Sequence, residues 1–381
     1  MNKKIVIVLG IIIVIIVGYV FFKDTKNNET EKPIVIGATL ALSGNLAYIG
    51  EAEFHGMTMA VDEINAKGGI DGTPIKLVIE DNAGEPKQAA STVSKMLTVD
   101  KADIIISAFT NITNAVKSIV ADNNKVMFYA ATVRDIAESN PLFFRDYFDA
   151  GDSGSLMAET VIKKGYKNVA FLSEVSDPCL QYEQGLIDGI KGNGVTIVGK
   201  ETFNTTSTDL KTQLLKIKET KPDAIVVCAL KHEHILMKQT KEMGMINTPI
   251  LHWLAPFLPV ANTDDTKALF EENKSVSVWH WVTETGFNQA QKDFSLKYQA
   301  KYGRKPAADV AYMYDDMYVL ADAISACKKE GKIRDSQCIS NQLLKTDYNG
   351  ISGSLRFNEK GNSKRTLNVI RFQNGAWEED V

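Results

Sequence analysis

Two stretches of this 381-residue chain place hydroxyl side chains where an apolar strand gives way to a helix. One is Ser107-Ala108-Phe109-Thr110-Asn111-Ile112-Thr113, directly before a helix read from Asn114. Backbone N–H groups at a helix start attract an anion, and Thr110 and Asn111 can add donors. The other is Ala130-Ala131-Thr132. Ligands of open α/β sheets sit beyond the carboxyl ends of the strands. Both stretches are therefore candidate binding loops, with helix capping as the plainer use of the same hydroxyls. Ser43 and Tyr48 follow the first strand, Tyr182 stands at the start of a later helix, and His252 and Trp253 lie in Ile250-Leu-His-Trp-Leu-Ala-Pro256. Trp279 and Trp281 share one face of a strand and either line a ligand wall or pack in the core. These residues suit holding a small molecule rather than making or breaking bonds.

Motifs that would carry catalysis do not occur: there is no G-x-S-x-G, H-E-x-x-H, P-loop or G-x-G-x-x-G. No enzyme activity and no cofactor are expected. His232-Glu-His234 is tempting as a metal pair, but residues two apart on a helix point in different directions and no third ligand stands nearby, so a surface pair and no metal are expected. Asp315-Asp316, among Tyr312, Tyr314 and Tyr318, reads as a solvated helix face. A net charge of -4 argues against a nucleic-acid partner, which needs clustered Lys and Arg. Of the four cysteines, Cys228 lies in a buried-strand pattern and reads as a core thiol. Cys327 and Cys338 flank a helix-loop-helix and are free or paired according to the redox compartment.

The elements that must position these residues alternate strictly. Strands begin at Ile34, Ile75, Ile104 and Val126, with helices Glu51 to Lys67, Pro86 to Val99 and Asn114 to Asn123 between them. The rhythm restarts after Asp149, with strands near Asn168, Val195, Ala224, Ile250 and Ser275. Two α/β sets of similar size imply two lobes, each a parallel sheet flanked by helices. Long helices from Asn288 to Tyr302 and Ala307 to Glu330 follow, then two closing strands. Ahead of everything, Met1-Asn-Lys-Lys4 precedes an unbroken apolar run, Ile5 to Phe22, long enough to nearly span a bilayer as a helix. It ends without small residues, so it reads as an uncleaved single-pass anchor with the bulk of the chain outside the cell; a cleaved signal is the alternative. Residues 1–32 would be anchor and tether.

Several motifs, in order and spacing, resemble one family. They are Leu40-Ala-Leu-Ser43-Gly44, Asn65-Ala-Lys-Gly68-Gly69-Ile70-Asp-Gly72, Glu80-Asp81 with Pro86-Lys-Gln-Ala89, Tyr348-Asn-Gly350-Ile-Ser-Gly353-Ser-Leu-Arg-Phe357, and Gln373-Asn-Gly375-Ala-Trp377. Across residues 33–378 the chain resembles the branched-chain amino-acid-binding type of periplasmic binding protein, which serves ABC importers. The resemblance implies a type I periplasmic-binding fold, two Rossmann-like lobes joined by a three-strand hinge. Lobe 1 would be 33–149 with 284–349 and lobe 2 150–283 with 350–381, crossing near Asp149, Thr283 and Asn349. It implies an extracytoplasmic small-molecule ligand, with ABC permease and ATPase subunits as partners; a sensor working through a separate signalling partner is the alternative. It puts Thr110 and Thr132 on the ligand, Tyr48 over it, although the family tyrosine aligns with Ile49, and Tyr182 across the cleft. In the family's amino-acid binders an acid meets the ligand ammonium, but here Leu254 takes that place and Leu230 replaces an aromatic. An unpaired ammonium in a closed cleft costs several kcal/mol, so a small carboxylate or amide with an apolar or aromatic body is expected.

Overall fold

The computed structural model describes residues 31–256, 263–281 and 286–380. The apolar run at 5–22 and the hinge position Thr283 lie outside these. Among the described residues no helix is long and apolar enough to cross a membrane.

The first α/β set contains β1 (Ile34–Leu40), α1 (Ala47–Ala66), β2 (Ile75–Asp81), α2 (Pro86–Thr98), β3 (Ile104–Ala108), α3 (Thr110–Asp122), β4 (Val126–Ala130), α4 (Asp135–Glu138) and β5 (Phe143–Arg145). Its sheet is parallel throughout, in the order β2-β1-β3-β4-β5. The second set contains α5 (Ala150–Lys163), β6 (Asn168–Glu174), α6 (Asp177–Ile190), β7 (Thr196–Phe203), α7 (Lys211–Glu219), β8 (Ala224–Cys228), α8 (Glu233–Glu242), β9 (Ile250–Trp253), α9 (Asp264–Asn273) and β10 (Val276–Trp279). Then come α10 (Gln289–Tyr302), α11 (Ala308–Lys329), α12 (Ser336–Leu343), the hairpin β11 (Tyr348–Gly350) and β12 (Gly353–Leu355), β13 (Asn368–Gln373) and β14 (Ala376–Glu379). The second sheet runs β14-β13-β10-β9-β8-β6-β7, parallel except where β13 and β14 close its edge. Strands such as β3, β4 and β8 are buried at every position, as apolar strands covered on both faces must be.

Several expectations change here. Residues 353–363, expected with the second sheet, stay with the first. Phe357 packs edge-on against Phe128 and Phe144, and Arg145 Nε donates to Asn362 Oδ1 at 2.7 Å. The last crossing therefore falls between Ser363 and β13, later than Asn349. Cys228 is not a free thiol: it is bonded to Cys179, while Cys327 is bonded to Cys338. Asp315 and Asp316 are buried rather than solvated. Asp315 accepts from the Ile351 and Ser352 amides and so ties α11 to the β11–β12 turn. His232 is buried too, with Nδ1 3.6 Å from Glu174 Oε2, and His234 Nδ1 lies 2.7 Å from Thr266 Oγ1. These histidines serve packing and local polar contacts, and no metal-ligand cluster exists among the described residues.

Candidate functional site

Strand order decides where a site can form. In the first sheet the connections reverse direction between β1 and β3, and in the second between β6 and β8. The loops leaving adjacent strands at such a point diverge and open a crevice at their carboxyl ends. One cavity of about 720 Å³ is lined by all four loops. Gly44 to Leu46 come from the β1 loop, Phe109 to Asn111 from the β3 end, Glu174 and Ser176 to Pro178 from the β6 end, and Leu230 and Lys231 from the β8 end. Ala131, Thr132, Tyr147, Phe148, Trp253 and Leu254 complete its walls. Its volume is in the range of small-molecule sites.

The local geometry of each wall follows from its sequence. Helix α3 begins at Thr110, four residues earlier than expected, so Thr110 and Asn111 form its first turn. No side chain caps that turn, which leaves its N–H groups directed at the cavity end of the helix. Phe109, the residue before it, has φ +66°, and Leu254 on the opposite wall has φ +61°. Left-handed backbone at a bulky residue is strained and persists only where surroundings enforce it. Here the Phe109 amide donates to the Ala130 carbonyl at 2.9 Å and the Leu254 amide to the Val278 carbonyl at 3.2 Å. The two strained turns face the same space from different sheets.

Of the residues singled out in the sequence, Phe109, Thr110, Asn111, Ala131, Thr132 and Trp253 line the cavity. Ser43, Tyr48, Tyr182 and His252 do not. Ser43 is exposed, and its amide donates to Asp81 at 3.2 Å. Tyr48 turns aside, its ring 5.4 Å from the Arg304 guanidinium, and Ile49 takes the place at the wall. Helix α6 begins at Asp177, with Pro178 in its first turn, a start signal that the reading from Tyr182 passed over. Tyr182 therefore lies in the second turn, fully buried between Phe171 and Trp253, whose ring centroids are 6.3 Å and 5.5 Å away. It backs the wall instead of covering the cleft. His252 and Trp253 alternate across β9, so when Trp253 faces the cavity His252 faces the other layer. There it sits 3.3 Å from Ser275 Oγ, and burial pushes its pKa down to about 3. Trp279 and Trp281 lie outside the lining, where Trp281 packs edge-on to Phe287.

The sequence reading missed the acids. Glu53 lies one helical turn after Ile49 on α1, and Glu174 ends β6; both are buried and both line the cavity. Burial, with the like charge of Asp309 beside it, pushes the Glu53 carboxyl well above the usual carboxylate range. Asp309 accepts a hydrogen bond from the Tyr147 hydroxyl at 2.7 Å, and burial pushes it up to about 6. Glu174 Oε2 is 3.5 Å from the Leu230 amide that donates to it. A helical i, i+4 step from Ile49 was the available signal for Glu53. Around the cavity, Glu53 Oε2 and Thr132 Oγ1 from the first side and Ser176 Oγ and Trp253 Nε1 from the second are buried without a hydrogen-bond partner.

Comparison with known proteins agrees with this geometry. The model of the family described as periplasmic binding protein matches residues 33–376. The Leu/Ile/Val-binding protein homolog 7 of Brucella melitensis is 21% identical over 364 residues, covering 90% of each chain. The crystal structure of the branched-chain amino acid transporter substrate binding protein LivJ from Streptococcus pneumoniae, in complex with isoleucine, is 28% identical. It matches with a TM-score of 0.79, over 91% of this chain and 98% of its own. The leucine binding protein LivK of Thermotoga maritima, 23% identical with a TM-score of 0.81 over 91% and 98%, shows the same fold. Two largely parallel sheets whose switch-point loops line one cavity, and a family match over nearly the whole chain, make this chain a member of the periplasmic binding protein family, of the type that includes the Leu/Ile/Val-binding proteins.

Proposed function

We propose that this chain is the extracytoplasmic substrate-binding component of an ABC importer, held to the membrane through residues 5–22. Its two lobes close on a small amino-acid-like or carboxylate ligand and present the closed form to the permease and ATPase subunits. Lobe 1 is 33–149 with 284 to about 363, and lobe 2 is 150–283 with the closing strands β13 and β14, so that the last crossing comes after Ser363 rather than near Asn349. The observation that carries the reading is that four residues lining one cavity, two on each side of it, each hold a buried polar atom without a hydrogen-bond partner. A buried polar atom without a partner costs roughly 1–3 kcal/mol, so a ligand that bonds these atoms is favoured and draws both sides onto itself. The open first turn of α3, with the Thr110 hydroxyl, provides for a carboxylate. A ligand that gains contacts only when both walls reach it stabilises the closed form over the open one.

Calorimetry on the full chain in detergent micelles tests this, with the twenty amino acids, their des-amino carboxylates, small dicarboxylates, benzoate and simple amides as probes. One or more should bind at micromolar strength or better, and Thr132→Val and Trp253→Ala should weaken that binding at least tenfold. Absence of binding across the whole panel would reject the reading.

A further inference from the structure

The position expected from the resemblance to meet a ligand ammonium is Leu254, whose side chain can accept nothing. Glu53 offers an acid from the other side of the cleft. It projects from α1 in the lobe of β1, and it lines the cavity with Tyr147, Phe148 and Trp253. Its Oε2 has no hydrogen-bond partner, although the residue is only 2% exposed. Glu174 is the other fully enclosed acid of the cavity, but its Oε2 already has the Leu230 amide and His232 nearby. An acid with an unpartnered oxygen and three aromatic residues in one cavity lining are the chemistry that recognises an organic cation, whose charge is attracted by ring faces and by the acid together.

The groups around Glu53 supply no counter-charge of their own. On α11, Asp309 is the charged group that bears on it, and its sign is the same. Tyr147, from the segment after β5, is a neutral donor engaged with Asp309. His280 lies next to Tyr147, 5.3 Å between ring centroids, and is held neutral by burial. On its own helix, Glu51 is taken up by Arg304 at 2.9 Å, and His55 Nδ1 lies 2.9 Å from the Tyr298 hydroxyl. The buried Arg365 is committed to Asp146. Among the described residues no cation pairs with Glu53, and the cationic side chain of the cavity lining, Lys231, comes from the β8 end on the opposite side.

We infer that Glu53 receives a cationic nitrogen of the ligand, and that its carboxyl O–H proton passes to solvent as the ligand binds. The carboxylate then pairs with the ammonium in place of the proton. The inference rests on the clamp reading above and narrows it: the ligand carries an ammonium-type group as well as the carboxylate that α3 accepts. It also removes the reason to disfavour α-amino acids.

Matched pairs test it, each amino acid against its des-amino carboxylate, such as L-leucine against 4-methylpentanoate and L-phenylalanine against 3-phenylpropanoate. Calorimetry is run on the full chain in micelles, in two buffers of different ionisation enthalpy. For the pair that binds, the amine member should bind at least tenfold tighter, with close to one proton released. Its Kd should fall up to tenfold per unit rise in pH while Glu53 is neutral in the free protein. In Glu53→Gln the preference should shrink below threefold and the proton release vanish. Proton release is read on the unmodified protein, so the test survives if that variant folds poorly. Equal or tighter binding of des-amino members, or binding without proton release, would overturn the inference and leave the clamp reading standing. Binding of no member of any pair would overturn both.

Discussion

The two disulfides should differ in what their removal does, and the difference tests the placement of the site. Cys179, in the first turn of α6, is bonded to Cys228 at the end of β8, across 49 residues of sequence. Cys327 and Cys338 join α11 to α12 across 11. In the chain-entropy account, closing a loop of 49 removes about 4 kcal/mol of unfolded-state freedom at 25 °C, and closing one of 11 about 3 kcal/mol. The first bridge also lies directly behind the cleft: Ser176 to Pro178 immediately precede Cys179, and Leu230 and Lys231 follow Cys228. It fixes the β6 and β8 loops, the two arms of the second switch point, against each other. The double variant Cys179→Ala/Cys228→Ala should therefore lose about 4 kcal/mol in urea unfolding and bind the panel ligand several-fold more weakly. Cys327→Ala/Cys338→Ala should lose about 3 kcal/mol with ligand affinity unchanged. Equal effects of both pairs on affinity, or full affinity without Cys179–Cys228, would refute the assignment of those loops to the site.

Other consequences are equally direct. Arg365 and Asp146 form a buried ion pair, with Arg365 Nε donating to Asp146 Oδ1 at 2.7 Å and the guanidinium lying 4.7 Å from the Tyr312 ring centroid. Arg365→Met should cost about 3–5 kcal/mol by leaving Asp146 buried and unpaired, and Asp146→Leu on top of it should recover most of that in a double-mutant cycle. His252, held at about 3 when folded against 6.5 ordinarily, cannot take the proton that the unfolded chain takes below 6.5. Stability from this group is lost as pH falls, by about 2 kcal/mol at pH 5, so His252→Asn should flatten the acid limb of a stability–pH curve by about that much. Asp309, raised to about 6, acts with the opposite sign: the folded state keeps a proton that the unfolded chain releases, so its share of stability falls as pH rises from about 4 to 6. Asp309→Asn should remove that decline. Gly154 lets α5 and α6 cross closely, since a Cβ there would lie 2.0 Å from the Tyr182 carbonyl oxygen. Gly154→Ala should cost about 3 kcal/mol or more in thermal unfolding, far more than Gly151→Ala, whose Cβ would meet a side-chain oxygen at 3.1 Å.

What the sequence revealed and what it hid divide along physical lines. Strands β1, β4 and β8 were legible to the residue because β-branched runs covered on both faces leave no other use for their composition. The cavity loops were legible where hydroxyls cluster at a strand end, as at Thr110 and Thr132. Helix starts were read late at α3 and α6, because Thr110 and Asp177 lack the apolar spacing that marks the helix body. That error turned Tyr182, a core residue, into a cleft residue. Buried charges were the main blind spot. Asp315, Asp316, Glu53 and His232 are of types usually found at the surface; long-range partners explain the burial of Asp315, held by the Ile351 and Ser352 amides, and of His232, beside Glu174. Those contacts join residues tens of positions apart and leave no local pattern. Cys228 likewise looks like any core thiol until α6 brings Cys179 beside it.

Small-angle scattering on the full chain in micelles, with and without the tightest probe from the calorimetric panel, addresses the central claim most directly. If a ligand draws the two sheets together across the shared cavity, the saturated profile should show a smaller radius of gyration than the free one, and Thr132→Val with Trp253→Ala should abolish the change. A profile that stays the same at saturating, calorimetrically verified binding would contradict the clamp.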